Sequence, residues 1–496
     1  MPVEKIKSPV GIPCIGYDMM VESWKLMHDL LGGTLAMRAA GQEWLPKEPA
    51  EEVTSYDIRL SRSILYNGLA DTLNKLKNRP FTHSITVKDL PEALSYLEDD
   101  VDGSNKPLEI FLKDVLENII KYGIAHIYID HTKIPNEELI DTKGNKKELT
   151  LADEQRLGVR VYLINISPKD LIGWQTNKNS SGEVELIQIR IKETNIVADG
   201  EYGDAELTSI TVYNKDGWEV HEQDPEDEDK YIKTSEGTSS LGKIPLVTIY
   251  ATKTGFMTAK PPLEDLSWLN LAHWQSYSDQ RNILRFSRFG LIFGKGLPSE
   301  MTGGTLQIGP TKAFLTSEPD ADMKYIEHSG KSIEAGQKDI EDIEQKMRVL
   351  GNQPLMKDMP NTATAERLDE GRTVSQLQSW VGALQRGIRR ALELAGEWRK
   401  IELPEETEIE IYSDFEAVVL GGGDKDHILK ARQSGDITRE RYLREAQRRG
   451  IYSQDMDPEE EAKLASAEDA NNLKEFLPVE EEEEFEEEIE EGEELE

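Results

Sequence analysis

The chain is poor in the residues that build covalent frameworks and buried reactive centres. One cysteine, Cys14, stands in 496 residues, which excludes a disulfide within the chain and a thiolate metal cage and suits a reducing compartment. Aromatics make up only 7% and apolar residues 37%, low for a globular protein. No apolar run approaches the ~20 residues that span a bilayer, and no basic segment with an apolar core follows Met1. The expectation is a soluble protein with no membrane contact and no export signal. Base is scarce too: 58 Lys and Arg face 95 Asp and Glu, a formal net charge of −37. That balance opposes a tight grip on phosphates, yet suits a surface that DNA must pass without sticking. The 8 histidines are scattered without an HExxH or i, i+4 pair, and no GxSxG occurs. Metal hydrolysis and nucleophilic catalysis therefore have no local constellation, and the chain reads as a non-enzyme with no catalytic residue, metal or cofactor. An acidic triad assembled from distant residues stays open.

What is present is helical and mechanical. Two helical segments in 263–351 flank a Gly-rich insert, and the second leads through a Pro-punctuated loop into a third, longer helix. The middle helix is expected to open with Ser332 as cap and to stop at Gly351 as a left-handed terminator. Ile333, Ile340, Ile343, Met347 and Leu350 form its narrow seam. The third helix repeats the pattern at Leu377, Val381, Leu384, Ile388, Ala391, Ala395 and Trp398, and from about Thr364 to 401 it would run roughly 55 Å at 1.5 Å per residue. Upstream, single helices are expected over about 17–40 and 56–77. Another carries Leu108, Phe111, Leu112, Val115 and Ile119 to a Gly123 cap and the strand IAHIYID. Residues 159–251 switch to short β-rich runs, with HEQDPEDEDK read as an exposed acidic turn. The helix from 263 carries Leu263, Leu266, Trp268, Leu271, Trp274 and Tyr277 around much of its circumference, so it should be packed on several sides. At the end, Val479 to Glu496 holds 13 glutamates and no base, a composition that cannot fold alone and reads as a solvated tail.

Three near-motifs yield to plainer readings. Residues 237–243 (GTSSLGK) fit the start of a phosphate-binding loop, but Ile244 replaces the magnesium hydroxyl and Pro245 opens a strand where a helix is required. Glu98, Asp100, Asp102 and Glu109 have oxygen-ligand spacing for calcium, with Glu in place of the first Asp and Pro107 stiffening the loop. A helix start with acidic caps is the preferred account. The helix pair around Ser434-Gly435, with Arg439, Arg441, Arg444, Arg448 and Arg449, resembles a helix-turn-helix. Its arginines are expected instead to pair with the glutamates of DMDPEEEAKLASAED.

The order of parts resembles the portal (head-to-tail connector) protein of tailed bacteriophages. The cues are AGQEWLPKE, LNKLKNRPF, DDVDGSNKPLEIF leading into YGIAHIYID, GKIPLVTIY before a Trp-rich helix, and LKARQSGDITRERYLREAQRRG before an acid-rich end. The resemblance implies an α+β fold: mixed α/β wing, long stem and wing helices, small inserted clip, helical crown, and a ring oligomer. Its parts would be an N-terminal arm and helix (1–53), wing (54–262), stem helices (263–289 and 331–351), clip (290–330), tunnel loop (352–363), long wing helix and strand (364–420), crown (421–478) and the acidic disordered tail (479–496). It further implies a ring of about twelve copies joined by heterologous contacts, set at one capsid vertex of the virion after assembly in the bacterial cytoplasm. That ring would be the channel for genome packaging and ejection. Expected partners are the terminase large subunit, which would carry the ATP hydrolysis, then a head-tail adaptor protein, the major capsid or scaffolding protein, and double-stranded DNA passing without sequence specificity. Channel candidates are Arg281, Arg285, Arg288, Asn352, Gln353, Met356 and Lys357. Oligomer or core-helix candidates are Ile340, Ile343, Met347, Leu377, Val381, Leu384, Ile388 and Trp398. Two other readings are another phage structural or scaffold component, and a carboxylate-based metal-dependent nuclease.

Overall fold

The computed structural model describes residues 9–132, 156–239, 241–289, 291–295, 319–326, 330–352, 375–413, 415, 429–448, 452 and 456–476. The chain divides into two compact units, Met1–Ser413 and Asp414–Glu496. The first is α+β.

Its N-terminal part is four helices where two were expected. Helices α1 (Ile15–Leu31) and α2 (Gly33–Ala40) are parted at Gly33, whose φ of 76° is open to glycine but strained for other residues. Helices α3 (Val53–Arg62) and α4 (Gly68–Asn78) are parted by an extended Ser63 and by Asn67, whose side chain accepts from the Ala70 N–H to cap α4. The break shifts the helical phase. In one continuous helix over 56–77, Ile58, Leu65 and Leu69 would share a stripe, yet Ile58 is 41% exposed while Leu69 is fully buried.

After strand β1 (Thr86–Lys88), helix α5 (Leu108–Tyr122) ends at a left-handed Gly123 and feeds β2 (Ile124–His131), as the sequence pattern predicts. Strands β3 (Val161–Ile166), β4 (Leu171–Lys178), β5 (Val184–Asp199), β6 (Gly203–Asn214), β7 (Gly217–Asp224), β8 (Asp227–Thr238) and β9 (Leu246–Tyr250) follow. Two antiparallel sheets result, in the orders β3-β2-β9 and β4-β5-β6-β7-β8. The acidic stretch is mostly strand: β7 runs to Asp224 and β8 resumes at Asp227, so only Pro225 and Glu226 turn. Paired edges accommodate acidic side chains when these alternate toward solvent.

Strands β10 (Lys253–Gly255) and β11 (Thr258–Ala259) precede α6 (Glu264–Phe289). Strands β12 (Leu291–Lys295) and β13 (Asp322–Ile326) pair antiparallel between α6 and α7 (Lys331–Asn352). Ser332 does not cap α7: the helix already includes Lys331, and the Ile333 and Glu334 N–H groups bond the Gly330 carbonyl. Gly351 does not end α7 either. It is helical, buried and set against α4, where a Cβ would lie 2.6 Å from Thr72 Oγ1. The glycine is needed for close approach rather than for a left-handed turn.

Helix α8 (Gln376–Arg399) begins at a capping box in which Ser375 and Gln378 bond each other's backbone N–H. Ser375 is extended, so a continuous helix from Thr364 is excluded and α8 spans about 36 Å at 1.5 Å per residue. Its seam covers the three-stranded sheet alongside α5, and strand β14 (Glu408–Glu410) pairs with β1. The core of this unit is built from α5, β2 and α8. Leu112, Ile119, Ile127, Leu377, Val381, Leu384 and Ile388 are all fully buried.

In the second unit, α9 (Arg439–Arg448) packs on α10 (Pro458–Phe476) through the buried Leu443 and Ala446. Arg444 pairs at 2.7 Å with Glu440 of its own helix, and its charge also acts on Glu459 of the following acidic segment. An i, i+4 partner is already in reach without ordering a second element. Residues 479–496 lie outside the described residues.

Candidate functional site

Helix α6 organises the first unit, and its inner face is polar. Ser267, Asn270, His273, Ser278 and Gln280 are each at most 5% exposed. Asn270 Oδ1 accepts from the Leu69 N–H at 2.9 Å, and its amide donates to the Tyr66 carbonyl at 3.0 Å. Gln280 donates to the Ile333 carbonyl at 2.8 Å. His273 lies 3.3 Å from Glu344, between Tyr66 and Tyr277. Trp268, expected to be packed, is 53% exposed. Such a face locks α3, α4, α6 and α7 in one register, because each buried polar group left unmatched costs about 1–3 kcal/mol. On α7 the seam residues Ile340, Ile343 and Met347 are buried, and Gly336 allows the backbone to meet Gln280.

Where α2 and α3 meet the C-terminal half of α6, a cleft of about 610 Å³ opens. Arg38, Arg59, Arg62, Arg281 and Arg285 line it. Arg59 is buried and bound through Nε and Nη2 to Glu51 at 2.9 and 2.8 Å, donates to the Pro46 carbonyl at 2.9 Å and reaches Asp279 at 3.5 Å. The Arg59 hydrogen bonds hold the Glu51 carboxyl below its ordinary value. Arg59 is therefore a neutralised strut. Arg38 donates to the Ser63 carbonyl at 3.0 Å, and the Arg281 guanidinium sits 6.0 Å over the Tyr277 ring. Among the described residues, Arg38, Arg62 and Arg281 have no carboxylate partner. A chain of net charge −37 thus carries a locally basic recess, whose guanidinium groups suit phosphodiester oxygens.

Of the channel candidates, Arg281 and Arg285 come together here. The Arg288 side chain, Gln353, Met356 and Lys357 lie outside the described residues, while Asn352 is the exposed last residue of α7. Arg38, Arg59 and Arg62 were missed: their spacing marks a helix face, and nothing local says that this face meets α6. Among the core-helix candidates, Leu377, Val381, Leu384 and Ile388 are buried inside this one chain. Trp398 stacks edge-on with His131 at 4.2 Å.

The near-motifs are structural. Asp100 accepts from the Gly103 and Asn105 N–H groups and from Arg160 at 2.8 Å, and Asp102 accepts from Ser104. These acids close a loop; the helix N-cap is Pro107, without a side-chain bond, and Glu109 is the acidic residue of the first turn. No group of three or more candidate ligands for a metal occurs among the described residues. Lys243 pairs with Glu397, and residues after it enter β9 rather than a helix.

Residues 262–399, from α6 through α8, match the model of a domain of unknown function (DUF4055). No curated protein matches the chain. Similar solved structures include a chain from the virion of a native gene transfer agent (GTA) particle, at 12% identity, 82% of this chain, 94% of that one and TM-score 0.37. Another is from the neck of the native GTA particle computed with C12 symmetry, at 12%, 83%, 97% and 0.36. A third is from the neck of the empty particle computed with C6 symmetry, at 11%, 73%, 84% and 0.35.

Proposed function

We propose that the chain is a structural subunit of a phage-type particle, and specifically the portal subunit: a ring of about twelve copies at one capsid vertex, closed by heterologous contacts. The observation that carries the reading is the succession of α6, the β12–β13 hairpin and α7, with α6 and α7 packed along each other. Two helices with a hairpin between their ends are the form expected of a stem bearing a clip. Exposed apolar residues fit a chain completed by neighbours: Ile15 is 81%, Met19 76%, Leu35 78% and Trp268 53% exposed.

In this reading the chain hydrolyses nothing. The terminase large subunit docks at the clip during packaging, and a head-tail adaptor later takes its place. Capsid or scaffolding protein holds the wing. The acidic surface repels duplex DNA, and the arginine recess supplies weak, sequence-independent attraction repeated around the ring.

The test is reconstituted packaging. Capsids assembled without this chain should protect no DNA from nuclease, and capsids assembled with it should protect genome-length DNA. Equal protection in both would end the proposal.

A further inference from the structure

The arginine cleft holds more positive charge than its surroundings neutralise. Arg59 is matched by Glu51, whereas Arg38, Arg62 and Arg281 have no carboxylate partner among the described residues. Like charges gathered in one recess of about 610 Å³ repel one another, and acid that enters relieves them. Ile64, also in the wall, is 52% exposed, so the recess offers an apolar patch beside its charge.

A surface with the complementary character lies on the same unit. The pairing of β5 with β4 ends at Ile191, and that of β6 with β7 starts at Ser209. Between these limits β5 and β6 pair with each other alone, through six residue pairs from Thr194 with Thr208 to Asp199 with Gly203. The result is a two-stranded arm roughly 20 Å long at about 3.4 Å per residue. Residues 192–204 are all exposed, so this part of the arm lies against no other part of its chain, and a ribbon of two strands is marginally stable by itself. The arm carries Asp199, Glu201, Asp204 and Glu206 and no lysine or arginine. Among the described residues none of these four acids has a basic partner; Glu201 accepts only from the Tyr202 hydroxyl at 2.7 Å. Asp204 and Glu206 share a face, about 7 Å apart at two strand steps, and Ile196 sits opposite Glu206. Ile196 is 75% and Tyr202, in the turn, 92% exposed. Unpaired acids with apolar neighbours thus face unpaired arginines with an apolar neighbour. Because the arm stands exposed and the recess open in one chain, the two can meet between copies.

We propose that the β5–β6 arm of one copy enters the arginine recess of the next, its carboxylates on Arg38, Arg62 and Arg281 and its apolar tip on Ile64, until DNA phosphates displace it. Carboxylate and phosphate engage a guanidinium through the same paired hydrogen bonds, so one excludes the other. The contact joins unlike surfaces and repeats around a ring. It rests on the ring reading above, which supplies the second copy, and adds regulation to it: the arm is a competitor that keeps the attraction for DNA weak.

Cross-linking of the full chain tests it, with Tyr202→Cys and Ile64→Cys placed together in a Cys14→Ser background and joined by a short bismaleimide. Both positions are exposed, and an unchanged melting temperature establishes that the variants fold. The expected result is a ladder of covalent multimers from the double variant, none from either single variant, and at least a threefold loss of the ladder when duplex DNA is added at constant ionic strength. Asp204→Lys with Glu206→Lys should abolish the ladder, and Glu460→Gln with Glu461→Gln in the other unit should leave it intact. No ladder, a link confined within single chains, equal linking in a single variant, or a ladder indifferent to DNA or to the lysine substitutions would overturn the proposal. Rings without the ladder would remove this contact and leave the portal reading standing; a ladder from a chain whose capsids protect no DNA would support the contact and remove that reading.

Discussion

Asn270, fully buried on α6, accepts a hydrogen bond from the Leu69 N–H at the first turn of α4, 2.9 Å away. The residues are 201 positions apart, and the bond ties the N-terminal helices to the helix that precedes the β12–β13 hairpin. Asn270→Ala should therefore strand both the Leu69 N–H and the Tyr66 carbonyl. A loss of roughly 2–6 kcal/mol follows from about 1–3 kcal/mol for each of the two buried groups left unmatched. Chemical denaturation measures it; a loss below about 0.5 kcal/mol would mean that water replaces the amide.

Two apolar positions should behave oppositely. Leu384→Asp puts a charge into a fully buried site under the three-stranded sheet, and should abolish soluble folded protein because an unpaired buried charge costs several kcal/mol. Trp268→Arg changes a side chain already 53% exposed, so the melting temperature of the dissociated chain should hold while assembly weakens. A Trp268→Arg chain that assembles normally would remove Trp268 from the interface.

Gly387→Ala should destabilise although alanine favours a helix by about 1 kcal/mol. The new Cβ would collide with Ile249 of β9, and overpacking typically costs about 1–3 kcal/mol. A gain in melting temperature would show that α8 can lift off the sheet freely.

Stability should fall on the acid side for two separable reasons. His126 is buried and its pKa is pushed down to about 3 by desolvation. The unfolded chain therefore binds a proton near pH 6.5 that the folded chain refuses, and stability declines as pH falls from there. The Glu51 carboxyl is lowered by Arg59, so its contribution is present above its ordinary 4.5 and is lost as pH falls through the depressed value. His126→Gln should flatten the melting-temperature profile between pH 6.5 and 4.5, and Arg59→Gln should flatten it below 4.5. Unchanged slopes in either window would refute that assignment.

Legibility in the sequence followed the range of the forces. The α5–Gly123–β2 succession was readable because stripe, left-handed cap and strand are adjacent. The seams of α7 and α8 were readable for the same reason. The start of α8 was misplaced although Ser375 and Gln378 spell a capping box, because helix formers upstream outweighed the cap. Gly351 was taken for a terminator because the nearness of Thr72 on α4 is a tertiary fact. Two of the five arginines of the recess, Arg281 and Arg285, were chosen from charge on one helix. Arg38, Arg59 and Arg62 needed the packing of α2 and α3 against α6, which no local pattern encodes.

Tail removal separates solubility from assembly. Truncation after Pro478 deletes 13 glutamates, whose mutual repulsion opposes any ordered packing. Rings should still form. Loss of rings on truncation would make the tail part of the assembly.

The central claim is a closed ring with an axial channel, and single-particle imaging of the purified full chain tests it most directly. The account predicts ring-shaped particles of about twelve subunits, each contacting the next through unlike surfaces around an open axis. A chain that stays monomeric at micromolar concentration across salt conditions and with capsid or terminase partners, or that forms particles without an axial opening, would contradict it.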